Sequence, residues 1–430
     1  MKKTLTAFAL TVVILLGAGL VLLASASTVR SQALYGSPYA LFCRQVGWLL
    51  AAMLVFAFCS KFDYRLWKKY LTLPIGFFLV VVVLLVAVIS PGIRSSVNGS
   101  YRWIKLGSFS FQPGEFAKLA VVVAIAVWMD RFCLRPRLSW GGEPLRRMGW
   151  LGRFWQKTRP FWFSAVIPAA LVGVVALFLL LEPDFGATMV VCVLGVLMMF
   201  VAGTRLWHLL LIAACGIPPI ALVIAANANR MNRIKAWLGG LWDKYADYLG
   251  FLGDRICNWL AANAESVATQ ANTAGDHLKQ SLLAFQNGGP WGVGFNQSIQ
   301  KYSYLPEAHT DFIFAIGAEE FGFLFSFGVV LVYAVLLVCG ILISLRATDR
   351  LGRLLAFGMT MLLVFQAAFN IGVVTGCLPT KGLALPFVSY GGTNLITAFF
   401  AVGTLFNILM QIDAADGQIA HLVRDAIDTV

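Results

Sequence analysis

Residues 70–90 read YLTLPIGFFLVVVVLLVAVIS and contain no charged side chain. The hydrocarbon core of a bilayer is about 30 Å thick, and a helix needs about 20 mainly apolar residues to cross it. An uncharged stretch of this length therefore predicts a membrane-spanning helix. It also directs the search for similar stretches in the rest of the chain.

Nine further stretches are mainly apolar over a similar length: 4–26, 40–59, 113–129, 161–181, 187–203, 206–227, 317–345, 354–376 and 391–411. The composition agrees, because 59% of the residues are hydrophobic, only 12% are charged and the mean hydropathy is +0.80. An average soluble domain has about 25% charged residues. The sequence thus predicts an all-α integral membrane protein, a polytopic bundle of about ten transmembrane helices, and excludes a soluble globular enzyme.

The first stretch has an alternative interpretation. Lys2 and Lys3 precede an apolar run that ends at Ala24-Ser25-Ala26, as in a cleavable signal peptide. The apolar region of a signal peptide is typically 7–15 residues long, and this one is longer. We therefore favour an uncleaved first span.

The net charge of +13 invites a nucleic-acid interpretation, so the position of the positive charges matters. With ten crossings and a cytoplasmic N-terminus, 19 of the 33 Lys and Arg fall in cytoplasmic segments, eight of them in 130–160. Segment 228–311 falls outside and balances seven Lys and Arg with seven Asp and Glu. This is the positive-inside pattern. It predicts cytoplasmic termini, a large extracytoplasmic loop at 228–311 and no nucleic-acid partner.

Two groups of polar residues lie where a span enters the membrane. Glu115 and Lys118 are three positions apart on one helix and can pair, either as a structural ion pair or within a binding cavity. Just before them, NGSYRWIKLG (98–107) places Arg102, Trp103 and Lys105 close together. Cations beside an aromatic ring suit an anionic headgroup, although the same residues also serve as plain interfacial anchors.

Two later segments, both expected on the outer side, also carry polar residues. Glu307, His309 and Asp311 lie at the mouth of the eighth span, where a carboxylate could act as a general base, hold a divalent cation or cap the helix. The last outer loop, 378–392, contains two prolines, three glycines and Lys381. Irregular backbone at membrane depth is tolerated only against protein or a polar cavity. We therefore expect these segments to converge on one outward-facing cavity.

Four stretches together resemble the SEDS family (shape, elongation, division and sporulation). They read YRWIKLGSFSFQPGEFAKLA (101–120), EPDFGA (182–187), GGPWGVGFNQSIQKYSYLPEAHTDFIFAIGAEEFGF (288–323) and NIGVVTGCLPTKGLALPFVSYGGTN (370–394). The resemblance implies a single membrane domain over 1–430. It implies a peptidoglycan glycosyltransferase that polymerises lipid II at the outer face of the bacterial cytoplasmic membrane, during cell division or cell-shape maintenance. The PTKGL stretch (379–383) is more similar to the division and sporulation branch.

Residue by residue, the resemblance implies that Asp311 is the essential carboxylate, acting directly or through a bound Mg²⁺ or Mn²⁺; no other cofactor is expected. The positions that it implies for substrate binding, together with their polar neighbours, are Arg102, Trp103, Lys105, Glu115, Lys118, Lys301, Glu307, His309, Lys381 and Ser389. Arg102, Lys105, Lys118 and Lys381 are candidates for offsetting the charge of the leaving pyrophosphate.

The implied partners are lipid II, membrane lipid, a class B penicillin-binding protein transpeptidase and other components of the division machinery. A lipid II flippase or other transporter is the alternative function. One departure from the family pattern is an apparent insertion at about 251–275. Its role is left open.

Overall fold

The structure is a computed structural model that describes residues 2–90, 94–97, 100–106, 109–132, 158–225, 268–302, 305, 307–379 and 382–428. In chain order the elements are α1 (Lys2–Ala26), α2 (Thr28–Tyr35), α3 (Ala40–Lys61), α4 (Leu66–Lys69), α5 (Thr72–Ile89), β1 (Arg94–Val97), β2 (Ser100–Leu106), β3 (Phe109–Phe111), α6 (Pro113–Phe132), α7 (Thr158–Leu181, with a π-helical turn at Trp162–Val166), α8 (Phe185–Val201), α9 (Leu206–Ala225), α10 (Ala268–Gly288), α11 (Ile313–Arg346), α12 (Arg350–Val374) and α13 (Gly392–Asp428).

Each of the ten predicted spans corresponds to one helix. Among the described residues, seven helices are long and apolar enough to cross a membrane: α1, α3, α5, α7, α11, α12 and α13. Of the other three, α8 is a shorter apolar helix, α9 is apolar over Leu206–Pro218, and α6 carries more charge. The prediction of a polytopic all-α membrane protein is confirmed.

The helix α6 lies at the centre of the bundle and packs against α5, α7, α8, α12 and α13. Fifteen of its 20 residues are buried. Its charged side chains are tolerated because they have partners: Lys118 pairs with Glu115, and Asp130 pairs with Lys68 at 2.7 Å. Arg131 donates to the carbonyl of Lys68. A charged helix can therefore occupy the interior of this bundle.

The helices differ in how much of their surface faces the bilayer. In the most apolar 18-residue stretch of α13, 72% of the residues are buried. In the corresponding stretch of α3, only 17% of the residues are buried. The exposed residues of α3 include Leu50, Leu54 and Phe58. These side chains lie between Arg44 and Lys61, the exposed charged residues of α3, and present an apolar surface suited to lipid tails.

The long helix α11 is kinked at Gly322, whose φ of 79° and ψ of −173° are not helical. The kink exists because the segment after α10 lies directly on it. Val293 N donates to Glu319 O and Phe323 N donates to Gly289 O. A Cβ at Gly322 would clash with the backbone of Pro290, Trp291 and Gly292, so only glycine fits there.

A small antiparallel sheet in the order β1-β2-β3 precedes α6. Ile104 pairs with Arg94 on one side and with Phe111 on the other, and its side chain is buried. The sequence analysis missed this sheet. Its strands are too short and too mixed in composition to show a clear alternating pattern.

The bundle has two ends. One end, here called the site end, contains β3, the turn between α7 and α8 and residues 307–312 and 382–391. The other end contains Lys68, Asp130, Tyr64 and Asp349, where the Tyr64 hydroxyl donates to the Asp349 carboxylate. Segments 98–107, 307–311 and 378–392 were predicted to share one side of the membrane. Their described parts do share one end of the bundle.

Candidate functional site

The sheet brings Arg102 to the turn between α7 and α8. An Arg102 guanidinium N–H donates to the carbonyl of Pro183, and its Nη1 lies 3.7 Å from Asp184 Oδ1. Gln112 Nε2 donates to the other carboxylate oxygen of Asp184 at 3.2 Å. Asp184 also caps α8, since it accepts from Ala187 N at 3.2 Å. The carboxylate of Asp184 is thus fully used in holding the sheet, the turn and α8 together.

Glu182 lies in the same turn but has a different environment. Its side chain is 1% exposed, and both of its carboxylate oxygens are buried with no hydrogen-bond partner in the part of the chain that the structure describes. Burial raises the pKa of the Glu182 carboxyl to about 8, with the charge of Asp184 adding to the shift and that of Arg102 opposing it. Glu182 therefore holds a proton at neutral pH.

Residues 307–312 form the turn that places Asp311. Asn370 of α12 donates to the carbonyl of Asp311 at 2.7 Å and to that of Leu383 at 2.5 Å. The Ser389 hydroxyl donates to Thr310 O at 2.6 Å, and Tyr390 N donates to His309 O at 3.1 Å. The backbone on both sides of Asp311 is thereby fixed to the loop 382–391.

The N-cap of α11 is Phe312, which makes no side-chain cap hydrogen bond. Thus neither Thr310 nor Asp311 occupies the cap position that the sequence analysis weighed for them. The Thr310 hydroxyl donates to Glu307 at 3.0 Å instead.

The imidazole of His309 is 9% exposed and lies 5.8 Å from the ring of Tyr390. Burial lowers the pKa of His309 below its usual range, with Glu307 opposing the shift and Arg30 adding to it. His309 is therefore neutral at pH 7. It shapes the turn without contributing a positive charge.

The turn that carries Asp311 and the α7–α8 turn that holds Arg102 meet through two glycines. A Cβ on Gly186, at the start of α8, would touch Leu383 at 3.0 Å and would lie 3.5 Å from Gly382 O. A Cβ on Gly382 would in turn collide with the carboxylate of Asp311. Gln112 N adds a link to Thr393 at 3.2 Å. The expected convergence of segments far apart in sequence is therefore present at the site end.

A buried polar network lies beneath this surface. Lys118 Nζ is 2.7 Å from both Glu115 Oε1 and Gln366 Oε1. Gln366 Nε2 donates to Ala384 O and to Asn394 Oδ1, each at 2.9 Å. The network joins α6, α12, α13 and the loop 382–391. Lys118 is 1% exposed, so it acts on the loop through Gln366.

Lys301 is not brought to this site. Its side chain is fully buried, and its Nζ lies 3.2 Å from Glu320 Oε1, 2.6 Å from Asn296 Oδ1 and 3.1 Å from Ser25 Oγ. This cluster ties segment 291–302 to α1 and α11. A substrate contact by Lys301 would require its ion pair to open, so the structure favours a structural role for this residue.

Lys301→Met is expected to lower the free energy of unfolding by about 3–5 kcal/mol, because it leaves Glu320 as a fully buried charge without its ion-pair partner. Ser25 Oγ and Ser298 N still donate to Glu320, so some hydrogen bonding of that carboxylate remains. Thermal unfolding in detergent measures this change, and an unchanged KM for substrate in the folded fraction distinguishes it from a binding role. A large rise in KM without loss of stability would contradict the structural assignment.

The other candidates are distributed as follows. Trp103 lies in β2 opposite Ser95, and Lys105 pairs with Ser110 in the sheet. The Ser389 hydroxyl is used within the protein, because it donates to Thr310 O and accepts from Leu385 N. Lys381 lies outside the described residues, as does the insertion up to residue 267.

Three residues were missed by the sequence analysis: Glu182, Gln366 and Asn370. Gln366 and Asn370 lie inside an otherwise apolar span, and an uncompensated polar group there is costly. A polar side chain inside an apolar span was therefore the sequence signal that could have identified these two residues. Glu182 stands in the quoted EPDFGA stretch, but its burial is a property of the tertiary structure.

A bound divalent cation would need protein ligands at the site end. Within the part of the chain that the structure describes, no group of three His, Cys, Asp or Glu side chains could hold a metal ion. Mg²⁺ often uses only one or two carboxylates together with substrate phosphates. Among the described residues, Asp311 fits that requirement as a single ligand.

Comparisons with known proteins agree with this picture. The family model described as a cell cycle protein and named for FtsW, RodA and SpoVE matches residues 6–414. The chain is 34% identical to a probable peptidoglycan glycosyltransferase FtsW of Geobacter sulfurreducens, covering 92% of each chain. It is also 34% identical to the protein of the same name from Saccharophagus degradans, covering 94% of this chain and 92% of that one.

Two solved structures are similar in fold. One is a chain from a peptidoglycan synthase complex that coordinates polymerization and crosslinking, with a TM-score of 0.63, 23% identity and coverage of 94% of this chain and 97% of that chain. The other is the rod shape determining protein RodA of Thermus thermophilus, with a TM-score of 0.58, 23% identity and coverage of 93% and 94%.

Proposed function

We infer, because this chain belongs to the FtsW, RodA and SpoVE family of cell cycle proteins, that it is a peptidoglycan glycosyltransferase. Its proposed substrate is lipid II, which it polymerises into glycan strands. The observation that carries the proposal is a contact between two turns. The turn that carries Asp311 meets the α7–α8 turn that holds Arg102, through Gly186, Leu383 and Gly382. A base and a cation are thereby held at one end of a membrane bundle.

Asp311 is the proposed general base. Of the described acidic residues at the site end, Glu115, Glu182 and Asp184 are buried, whereas Glu307 and Asp311 are partly exposed, and Glu307 accepts a hydrogen bond from Thr310. The backbone of Asp311 is fixed by Asn370, so its carboxylate has a defined position. A partly exposed carboxylate on a rigid turn can take the proton of an acceptor hydroxyl.

In the proposed reaction the acceptor hydroxyl oxygen attacks the anomeric carbon of the donor, and its proton passes to Asp311. The bond from that carbon to the pyrophosphate oxygen breaks, and polyprenyl pyrophosphate leaves with the electron pair. A single displacement inverts the anomeric centre and requires no covalent intermediate. Arg102, oriented by Pro183 and Asp184, offsets charge on the leaving pyrophosphate. A bound Mg²⁺ or Mn²⁺ would supply further charge, with Asp311 as its protein ligand.

The remaining candidates have supporting roles in this proposal. Lys118 and Glu115 position the loop 382–391 through Gln366. Trp103, Lys105, Glu307, His309, Ser389 and Lys381 are proposed to line or shape the substrate surface. Lys301 is left out of that surface because of its buried ion pair.

We propose that the protein resides in the bacterial cytoplasmic membrane as one domain, with the site end facing outward and both termini in the cytoplasm. The excess of Lys and Arg in the segments that the sequence assigns to the cytoplasm supports this orientation. A class B penicillin-binding protein is the proposed partner. The similarity in fold to a chain of a peptidoglycan synthase complex supports that pairing.

The experiment for this function is polymerisation of lipid II by the purified protein, with glycan products separated by size. We expect strands longer than the starting disaccharide, with or without the cognate transpeptidase. If the protein moved lipid II across vesicles but made no polymer even with the transpeptidase present, a transporter would replace the glycosyltransferase as the better account.

A further inference from the structure

Two neighbouring groups at the α7–α8 turn keep buried polar atoms that have no hydrogen-bond partner among the described residues. They are the two carboxylate oxygens of Glu182, in the turn, and the Nε of Arg102, which reaches the turn from β2. Buried polar groups in proteins almost always have a hydrogen-bond partner. Each of these atoms therefore marks a position that a water molecule or a ligand atom would fill.

Arg102 is held so that this position is well defined. One guanidinium N–H donates to Pro183 O, the residue that follows Glu182, and Nη1 faces Asp184. The side chain of Arg102 remains 27% exposed. The guanidinium thus lies at the turn that contains Glu182 and is partly exposed.

The charge state of Glu182 decides what can bind beside it. The two charged groups that face Glu182 are Asp184, which disfavours its ionisation, and Arg102, which favours it. On the adjoining α6, Glu115 and Lys118 neutralise each other. With burial as the dominant cause, the carboxyl keeps its proton at pH 7, and a neutral carboxyl can donate a hydrogen bond.

A cation is a poor fit for this position. The carboxylate of Asp184 is already occupied by Arg102, Gln112 and the amide of Ala187. The guanidinium would also repel a metal ion. One cationic donor beside one neutral donor is instead the arrangement that suits a phosphate oxygen.

We propose that Glu182 and Arg102 together form a subsite for a phosphate group of the polyprenyl pyrophosphate moiety. This inference rests on the proposed glycosyltransferase function, which supplies that moiety in both donor and product. Ionisation of Glu182 would place a negative charge against the phosphate. Affinity at this subsite therefore falls as the pH rises through the pKa of Glu182.

The test measures binding of polyprenyl pyrophosphate to the purified protein in detergent between pH 6.5 and 9.5. For the wild type we expect affinity to fall roughly tenfold from pH 7 to pH 9, because about one pH unit above the pKa only a tenth of Glu182 stays protonated. Glu182→Gln keeps a neutral donor of similar size. Its affinity should stay level across this range, whereas Glu182→Leu should bind weakly at every pH.

Asp63→Asn is the matched control, since it removes a carboxylate at the opposite end of the bundle. It should keep the pH profile of the wild type. If Glu182→Gln also kept that profile, or if wild type and Glu182→Leu bound the probe equally, the unpartnered atoms would hold ordered water only. Either result would overturn the subsite.

Thermal unfolding provides a readout that needs no ligand. A carboxyl whose folded-state pKa is raised contributes stability that is lost as the pH rises through that pKa. The unfolding temperature of the wild type should therefore fall as the pH rises from about 4.5 to about 8 and level off above it, and it should fall more over this range than that of Glu182→Gln. Neither measurement uses catalysis, so the subsite can fail while the glycosyltransferase proposal holds. Failure of the glycosyltransferase proposal would appear separately, as a lack of polymer made by the wild type.

Discussion

Replacing Asp311 by asparagine is expected to lower the initial rate of lipid II polymerisation by roughly 10²–10⁴-fold, the usual contribution of a general base. Asparagine has nearly the same size and cannot take the proton of the acceptor hydroxyl. The hydrogen bond from Asn370 to the backbone carbonyl of residue 311 does not depend on the side chain. The unfolding temperature should consequently stay close to that of the wild type.

A second variant tests the position of the carboxylate and keeps its charge. In Gly382→Ala, the new methyl group meets the Asp311 carboxylate and pushes it aside. A misplacement of about 1 Å can cost about 10²-fold in rate. Gly391→Ala is the matched control in the same loop, because its nearest contact would be an ordinary 3.5 Å to Asn394. Full activity of Asp311→Asn would show that the Asp311 carboxylate takes no part in the reaction.

Lys118→Met is expected to destabilise the protein by about 3–5 kcal/mol, the cost of leaving one member of a buried ion pair without its partner. Glu115 is 6% exposed, and its second carboxylate oxygen has no hydrogen-bond partner. Gln366 Oε1 would also lose a donor, which loosens its hold on Ala384. Both the free energy of unfolding and the polymerisation rate should decrease.

The double variant Glu115→Gln/Lys118→Met removes the stranded charge and should recover part of the stability. Lys69→Met is the control, since Lys69 is exposed and lies over the ring of Tyr70 at 5.2 Å. Lys69→Met should lower the free energy of unfolding by no more than about 1 kcal/mol. If the double variant were no more stable than Lys118→Met, the pair would not be the source of the loss. Chemical unfolding in detergent measures all three variants.

The ten spans could be predicted from the sequence because crossing a bilayer imposes a minimum apolar length on each segment separately. The Glu115–Lys118 pair could be predicted too, since three residues of separation fix a helical contact locally. The sheet at 94–111 could not. Its three short strands form through pairing with one another, and their composition gives no clear period.

The sequence by itself determined the class of the protein, the number of apolar spans and the residue types available for chemistry. Only the tertiary structure decided which of those residues meet. It joined Lys118 to Gln366, 248 positions away, and Lys301 to Ser25, 276 positions away, so that one lysine supports the site and the other does not. It also buried Glu182 without a partner. The physical reason is that spans are set by local hydrophobicity, whereas burial and the pairing of polar groups depend on how distant helices pack.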